Sequence, residues 1–394
     1  MSGVEETVPR TRKYPFLPEE YGDGFLEDKL AKYEIFWRDL YPWLKESGYL
    51  LRPRYSPGWS RPWGDNGRPS DFEESSKPWS ASVMDATRTS DGSYVALKRS
   101  EPPEGPEAFG GQEIELLRQL SSEPLASDVH NRCIRPIEIL RVPDEIQPHV
   151  DLIVMPLLFT CERYPFSTIG EVVDFFTQAF EGLKFIHSQN IWHGDCKFNS
   201  IMMDASPILQ DDPHPWVERK TRDWSKAPLP TRSRTQHPVK YYWIDYDLSG
   251  KYDPSTGPPL TDPGYGGIHT VPEWAFPEQK CNPFAVDVWC LAYTIRGWFT
   301  EGFELDEPHK VKGLEFMHGL LADMSQDDPA NRPTMDVVVD RFTRIRAGLS
   351  EWKLRSRFTW EKRFFLLEIP QVARHWAQQL SFVVKRIPAI PSAV

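Results

Sequence analysis

The stretch Ile191-Trp192-His193-Gly194-Asp195-Cys196-Lys197-Phe198-Asn199-Ser200-Ile201 is the most informative run in this chain of 394 residues. Apolar residues at its ends enclose an imidazole, carboxylate and ammonium group and two further polar side chains. Asp195 is the leading catalytic candidate, because a positioned carboxylate can orient a hydroxyl group and accept its proton. Lys197, two residues later, is the second candidate.

Further motifs lie on both sides of this stretch. Before it, Val95-Ala96-Leu97-Lys98 forms a predicted strand, and Glu113 opens a predicted helix in which Glu115 is a competing acidic residue. After it come Ile244-Asp245-Tyr246-Asp247-Leu248-Ser249, Val271-Pro272-Glu273, Asp287-Val288-Trp289 and Asn331-Arg332-Pro333. Each motif alone is a weak signal, so the information lies in their number and order.

In this order the motifs resemble those of the eukaryotic protein kinases, from about Ser80 to Leu349, and the chain is similar to fungal kinase-like proteins with altered catalytic loops. The resemblance implies an α+β fold with two lobes: a small β-rich N-lobe at 80–158 and a large helical C-lobe at 159–350. The sequence pattern agrees, since short strand-like runs precede a longer region of helical periodicity.

The resemblance also implies a role for each candidate residue, with ATP and Mg²⁺ as cofactors. Lys98 would contact the α- and β-phosphates and pair with Glu113, and Asp245 would ligate Mg²⁺. Asp195 would accept the proton of the substrate hydroxyl group. Lys197 would contact the γ-phosphate, which favours serine or threonine over tyrosine as the acceptor.

Three more interactions are implied by the family pattern. A second metal ligand would come from Ser200, which stands at the family's asparagine position, or from Asn199, one residue earlier. Glu273 would form a buried ion pair with Arg332. Asp287 would brace the backbone of the catalytic loop.

Departures from the family pattern bear on activity. Gly194 replaces an arginine that usually reads a phosphorylated activation loop, Asp247 replaces a glycine, and residues 78–83 contain no glycine to approach the phosphates. Two functions stay open: a Ser/Thr protein kinase, and a pseudokinase that serves as a binding or scaffold module with little or no phosphotransfer. A kinase for small molecules is a third alternative, which the Glu273 and Arg332 motifs disfavour.

Composition limits the partners and the compartment. A net charge of −11 argues against nucleic acid as the main partner, which leaves an unidentified protein substrate or binding partner. Five cysteines without a C-x-x-C pair indicate a reducing compartment. The N-terminus lacks the apolar stretch of a secretory signal, and no apolar run is long enough for a membrane span. We expect a cytoplasmic or nuclear protein.

The remaining regions are interpreted from their periodicity and composition. Residues 1–79 are expected to pack on the kinase-like domain as an N-terminal extension, with partner docking as the alternative. The Pro-rich insertion 207–239 is interpreted as an elongated surface turn, and 351–394 as a C-terminal extension packed on the large lobe, with a membrane-surface or partner role as the alternative. The predicted elements are helices at Glu27–Ser47, Glu113–Leu120, Glu171–His187 and Gln371–Val384, and strands at Val83–Arg88, Tyr94–Arg99, Ile134–Leu140, Leu152–Leu158 and Tyr241–Ile244.

Overall fold

The computed structural model describes residues 29–78, 80–101, 111–264, 266, 268–302, 312–359 and 365–391, with only the backbone of 365–368. Within these residues the protein is a mixed α+β fold, as predicted. The strands of its largest sheet all lie before residue 157, and most of the helical residues follow.

The largest sheet has five antiparallel strands in the order β1-β2-β3-β5-β4. Their bounds are β1 Tyr49–Leu50, β2 Val83–Arg88, β3 Tyr94–Ser100, β4 Glu138–Arg141 and β5 Asp151–Pro156. Side chains alternate between the two faces of a strand. The sheet therefore has an outer face, formed in β3 by Val95 and Leu97, and an inner face, which includes Ala96 and Lys98.

Helix α1 (Lys32–Glu46) covers the outer face. Its buried side chains form one apolar cluster with the outer-face residues of the strands, a cluster that includes Trp37, Leu40, Leu44, Met84, Ala86, Val95, Leu97, Leu152 and Val154. Burying a side chain of this size contributes about 1.5–3 kcal/mol. Helix α1 is therefore part of the sheet's own core, whereas residues 1–28 of the predicted extension lie outside the described residues.

The helical part is built around α3, a helix whose buried residues are mostly apolar. Thr168 caps its first turn by accepting a hydrogen bond from the backbone N–H of Glu171 at 3.1 Å. The α-helices within the described residues are α1 Lys32–Glu46, α2 Glu113–Leu120, α3 Ile169–Ser188, α4 Pro283–Ile295, α5 His318–Met324, α6 Met335–Ala347, α7 Glu351–Arg355 and α8 Phe365–Val384. A π-helical turn, Arg296–Thr300, continues α4.

Two small sheets lie beside α3 and position the functional loops. One has the order β6-β8-β9 and the other pairs β7 with β10. Their bounds are β6 Phe159–Thr160, β7 Ile191–Trp192, β8 Ile201–Asp204, β9 Lys240–Trp243 and β10 Gly250–Lys251. The motif 191–201 therefore connects β7 to β8, and the motif 244–249 connects β9 to β10.

Most predicted elements are present with shifted ends. The helix Glu113–Leu120 has the predicted bounds, whereas α1 begins at Lys32 and α8 begins at Phe365. The predicted strand Ile134–Leu140 was wrong in its first half, because the N–H of Ile134 bonds the carbonyl of Trp243 and β4 begins only at Glu138. Leu152–Leu158 is likewise shifted, to Asp151–Pro156.

Two interpretations of whole regions need correction. β1 belongs to the sheet, so the sheet begins before the predicted boundary at residue 80. The insertion 207–239 is more than a surface turn, because His214, Thr221 and Arg234 within it are buried and side chains from it contact the sheet. Proline-rich composition indicated a loop correctly but gave no information about what that loop covers.

The C-terminal segment packs against the helical part. The N–H of Ile169, at the start of α3, donates to the carbonyl of Ser356, and Leu354 and Ala389 belong to the large apolar core. In the part of the chain that the structure describes, no helix is both long enough and apolar enough to cross a membrane.

Candidate functional site

Lys98 and Glu113 meet between the inner face of the sheet and the first turn of α2. Lys98 lies in β3 with its side chain on the inner face, and Glu113 is the first residue of α2. The Lys98 Nζ atom donates to Glu113 Oε1 at 2.6 Å, and both residues are more than nine-tenths buried. The predicted pairing of these two residues is confirmed.

Asp245 completes this contact from the other part of the molecule. It follows β9, and its backbone has φ +68°, a left-handed conformation that is uncommon outside glycine. The Lys98 Nζ atom lies 2.7 Å from Asp245 Oδ1. The backbone N–H of Tyr246 also donates to Glu113 Oε1, at 3.1 Å. Three residues from distant parts of the sequence thus share one hydrogen-bonded cluster.

A fourth member, Asp247, changes the charge of this cluster. Its Oδ2 atom lies 3.1 Å from Lys98 Nζ, so one ammonium group faces three carboxyl groups. Burial, and then the neighbouring carboxyl group of Asp247, raise the pKa of Glu113 to about 8 although Lys98 opposes the shift. Burial alone would also raise the pKa of Asp245, but Lys98 holds it below its usual value. Of these two carboxyl groups, Glu113 therefore keeps a proton more readily than Asp245.

The carboxylates of Glu113, Asp245 and Asp247 could together hold a metal ion. One oxygen from each lies within 4.8 Å of the others, and Glu113 Oε2 is buried without a hydrogen-bond partner in the described structure. Carboxylate oxygens are the ligands that Mg²⁺ prefers. The donor set therefore fits a divalent cation, provided that Lys98 shifts its contacts.

Asp287 holds the backbone of the loop that carries Asp195. It is buried in α4, and it accepts the backbone N–H groups of His193 at 2.7 Å and of Gly194 at 2.8 Å. His187 Nε2 lies 2.9 Å from the same carboxylate. Burial alone would raise the pKa of Asp287, but these hydrogen bonds keep it below its usual value. The predicted bracing role of Asp287 is confirmed.

His193 connects this loop to the segment of Asp245. Its Nδ1 atom accepts the backbone N–H of Asp195 at 3.3 Å, and its Nε2 atom lies 3.0 Å from the carbonyl oxygen of Ile244. This pattern requires a neutral ring with the proton on Nε2. Complete burial lowers the pKa of His193, which agrees with that neutral form.

Gly194 occupies a position where the backbone does not accommodate another residue well. Its φ is +80°, and a Cβ atom there would lie 2.3 Å from the carbonyl oxygen of Leu248. The arginine of the family pattern therefore has no room in this conformation. The close approach of residues 194 and 248 is possible because residue 194 is a glycine and not an arginine.

Asp195 and Lys197 form an ion pair with each other. Asp195 is buried, whereas the Lys197 side chain is about one-third exposed. The carbonyl of Cys196, between them, accepts the hydroxyl of Thr294 from α4 at 3.0 Å. The catalytic candidates are thus anchored on α4 and linked through His193 to the cluster around Lys98.

Ser200 and Asn199 lie in different environments. Ser200 is fully buried, and its hydroxyl has no hydrogen-bond partner in the described structure. Asn199 is exposed and lines a cavity of about 160 Å³ with Lys197, Ile268 and Trp298. Their role as metal ligands stays a prediction.

The ion pair between Glu273 and Arg332, which the sequence pattern implied, is also present. Arg332 donates to both carboxylate oxygens of Glu273, at 2.6 and 2.8 Å, and its guanidinium group is buried. It donates further to the carbonyl oxygens of Gln326 and Ala285. The predicted ion pair is confirmed.

Sequence reasoning missed one residue of the inner face, Asp85. This residue of β2 is fully buried, and two arginines and a tryptophan surround its carboxylate. A single acidic residue in the strand-like run Val83-Met84-Asp85-Ala86 was the available signal, since buried carboxylates need partners.

No protein-family model matches the chain, and no curated protein matches its sequence.

Proposed function

We propose that the cluster around Lys98 and the loop of Asp195 form the ATP site of a bilobal, protein-kinase-like domain that transfers the γ-phosphoryl group to a serine or threonine hydroxyl group of a protein. One observation carries the proposal: the Lys98 ammonium group bridges Glu113 and Asp245 at 2.6 and 2.7 Å. These residues come from two parts of the fold, and they meet beside the loop that holds Asp195.

The chemistry of each side chain suits this reaction. Lys98 is a buried cation, and the three carboxyl groups keep its pKa above the usual value although burial opposes them, so it is charged at neutral pH and can neutralise phosphate oxygens. Asp195 is held by a rigid loop, which suits a group that orients an attacking hydroxyl. Lys197 beside it can neutralise charge on the transferred group. Asp245 and Asp247 would hold Mg²⁺, which supplies further neutralisation of the phosphates.

A pseudokinase is the second candidate, and a specific contact favours it. Asp247 Oδ2 lies 3.1 Å from Lys98 Nζ, where it competes with any phosphate oxygen for the ammonium group. In addition, the connection of β1 to β2 runs through residues 51–82 and contains several short 3₁₀ turns rather than a short glycine loop. Both features weaken phosphate binding, so they predict slow transfer or none.

Two measurements separate the candidates. Thermal unfolding with and without MgATP reports binding, and transfer of radiolabelled phosphate to a mixed serine- and threonine-containing substrate reports activity. Asp195→Asn is the test variant, and Asp340→Asn, an exposed aspartate on α6, is its matched control. A kinase requires that Asp195→Asn alone loses transfer. Equal background from both variants, with a retained thermal shift, would establish the pseudokinase, and no shift with MgATP would reject the nucleotide site.

A further inference from the structure

A segment of the insertion reaches the inner face of the sheet. We name residues 213–222 the strap. The Trp216 indole N–H donates to Asp85 Oδ1 at 2.6 Å, and Arg222 Nη1 lies 2.9 Å from Asp85 Oδ2. The Asp85 side chain has no exposed area. The strap therefore covers the Asp85 side chain together with Arg52.

The covered part of the sheet adjoins Lys98. Asp85 lies opposite Ala96 in the register of β2 and β3, so both share the inner face with Lys98. Ala96 and Lys98 are two residues apart, which is about 7 Å along a strand. The Arg222 guanidinium group also lies over the ring of Tyr94, at 4.4 Å from its centroid. The strap thus follows the inner face from Tyr94 to Asp85, next to the charged cluster.

The strap is fastened to both parts of the fold. Arg163, which follows β6, donates to the carbonyl oxygens of Pro215 at 2.7 Å and of His214 at 2.6 Å. His214 Nε2 lies 3.1 Å from Glu73 Oε1, in the connection between β1 and β2. These contacts lie at the start of the strap, and they join it to the segment after β6 and to the connection between β1 and β2.

The charges within this contact balance. Arg52 bonds Glu73 at 2.7 Å and Asp85 at 3.1 Å, and Arg222 supplies the second cation to Asp85. Two guanidinium groups therefore face two carboxylates, with His214 neutral because burial lowers its pKa. Asp85 would repel a triphosphate nearby, whereas two cations and the Trp216 indole N–H surround its carboxylate when the strap is in place.

We infer that the strap is an intramolecular plug: it occupies the half of the cleft in which the base of a purine nucleotide would lie when its phosphates reach Lys98. This inference rests on the proposed nucleotide site, and it adds that the strap regulates nucleotide binding there. With the phosphates at Lys98 and Asp245, as in the proposed function, the base would extend along the inner face, and one direction along β3 leads to Ala96 and Tyr94. Nucleotide binding then requires that Trp216 and Arg222 withdraw.

The test is a fluorescence titration with Mg²⁺ and ATP carrying a methylanthraniloyl group on its ribose. Trp216→Ala removes the ring from the cleft, and Trp216→Phe keeps a smaller aromatic ring but removes the N–H donor to Asp85. Trp352→Ala, an exposed tryptophan of α7, is the matched control. If the open form is a minor population of about one-tenth, Trp216→Ala binds about tenfold more tightly than wild type. Trp216→Phe gives a smaller gain, and Trp352→Ala gives none.

A second measurement tests the plug independently of nucleotide binding. Met155 lies opposite Ala96 in β5 on the inner face, whereas Met84 lies under α1 on the outer face. We expect withdrawal of the strap to open the inner face beside Met155, so that its oxidation by hydroxyl radicals becomes severalfold faster in Trp216→Ala while Met84 stays protected.

The outcomes are distinct. Tighter nucleotide binding with faster oxidation of Met155 supports the plug, and addition of Lys98→Met then abolishes binding. If Met155 becomes exposed in Trp216→Ala but the affinity for nucleotide does not change, the plug is overturned. If no variant binds nucleotide, the proposed function fails. The oxidation rates alone then decide whether the strap covers the inner face. An unchanged rate at Met155 would show that it does not.

Discussion

The ammonium group of Lys98 lies 3.1 Å from the carboxylate of Asp247, in a cluster where Glu113 and Asp245 are already bonded to it. This contact joins the most buried cation of the candidate site to a residue that replaces a glycine in the pattern that the sequence resembles. One cation cannot neutralise three carboxylates, so the protonation of the cluster depends on pH in the neutral range.

The first prediction concerns that pH dependence. The pKa of Glu113 is about 8 in the folded protein, above its ordinary value of 4.5, so folded Glu113 binds more protons between those values. By linkage, its contribution to stability is present at low pH and is lost as the pH rises through about 8. Asp247→Asn removes one negative charge and lowers this pKa. We expect a flatter curve of unfolding midpoint against pH for Asp247→Asn than for wild type, measured from pH 5 to 8.5 by chemical denaturation. Parallel curves would contradict the assignment to Glu113.

The second prediction concerns Lys98 itself. Lys98→Met leaves three carboxyl groups around an apolar side chain, without the cation that neutralises their charge at high pH. The loss of stability is about 3–5 kcal/mol at pH 8, the usual cost of stranding buried charges, and smaller at pH 5, where carboxyl groups take up protons. Denaturation of Lys98→Met at both pH values tests this, with Lys385→Met, an exposed lysine, as the control. A loss of stability that does not depend on pH would mean that Lys98 stabilises the protein through its packing and not through its charge.

The third prediction concerns Gly194. Gly194→Arg restores the family's residue in sequence, but its Cβ atom would meet the carbonyl oxygen of Leu248 and its φ is positive. We expect a loss of about 1–3 kcal/mol in the free energy of unfolding, and no gain of activity. Gly319→Ala, in α5 where a Cβ atom meets nothing within 4 Å, is the control and should be neutral or slightly stabilising. A stable Gly194→Arg protein would show that the loop can adopt another conformation.

The fourth prediction concerns the ion pair of Glu273 and Arg332. Glu273→Gln leaves a buried guanidinium group without its carboxylate, which costs about 3–5 kcal/mol. Glu145→Gln, at an exposed position, should change stability by less than about 0.5 kcal/mol. Combining Glu273→Gln with Arg332→Leu should cost less than the sum of the single changes, because the two residues are directly coupled. Additive losses in urea denaturation would contradict a direct interaction.

Much of the candidate site follows from sequence because its residues come in motifs with fixed spacing. Lys98, Glu113 and Asp245 are distant in sequence, and their convergence could be expected because the motifs that carry them resemble, in this order, those of the protein kinases. The contact of Asp247 with Lys98 could only be suspected, since its side-chain direction depends on the left-handed backbone at Asp245.

The strap could not be predicted in the same way. Residues 213–222 have neither helical nor strand periodicity, and their contacts with Asp85 bridge more than 120 positions. Local patterns carry no information about such long-range contacts. The same holds for β1, which is too short to show an alternating pattern and is defined by its pairing with β2.

The cover that α1 forms over the outer face has a practical consequence for dissecting this protein. A fragment that starts at residue 80, where the motif pattern starts, would leave Met84, Ala86, Val95 and Leu97 facing water and would expose β2 as a bare sheet edge. Such a truncated polypeptide should aggregate on expression. A fragment that begins at Lys32 retains α1, which keeps these apolar side chains covered. The smallest autonomous folding unit is therefore larger than the region recognisable by its motifs.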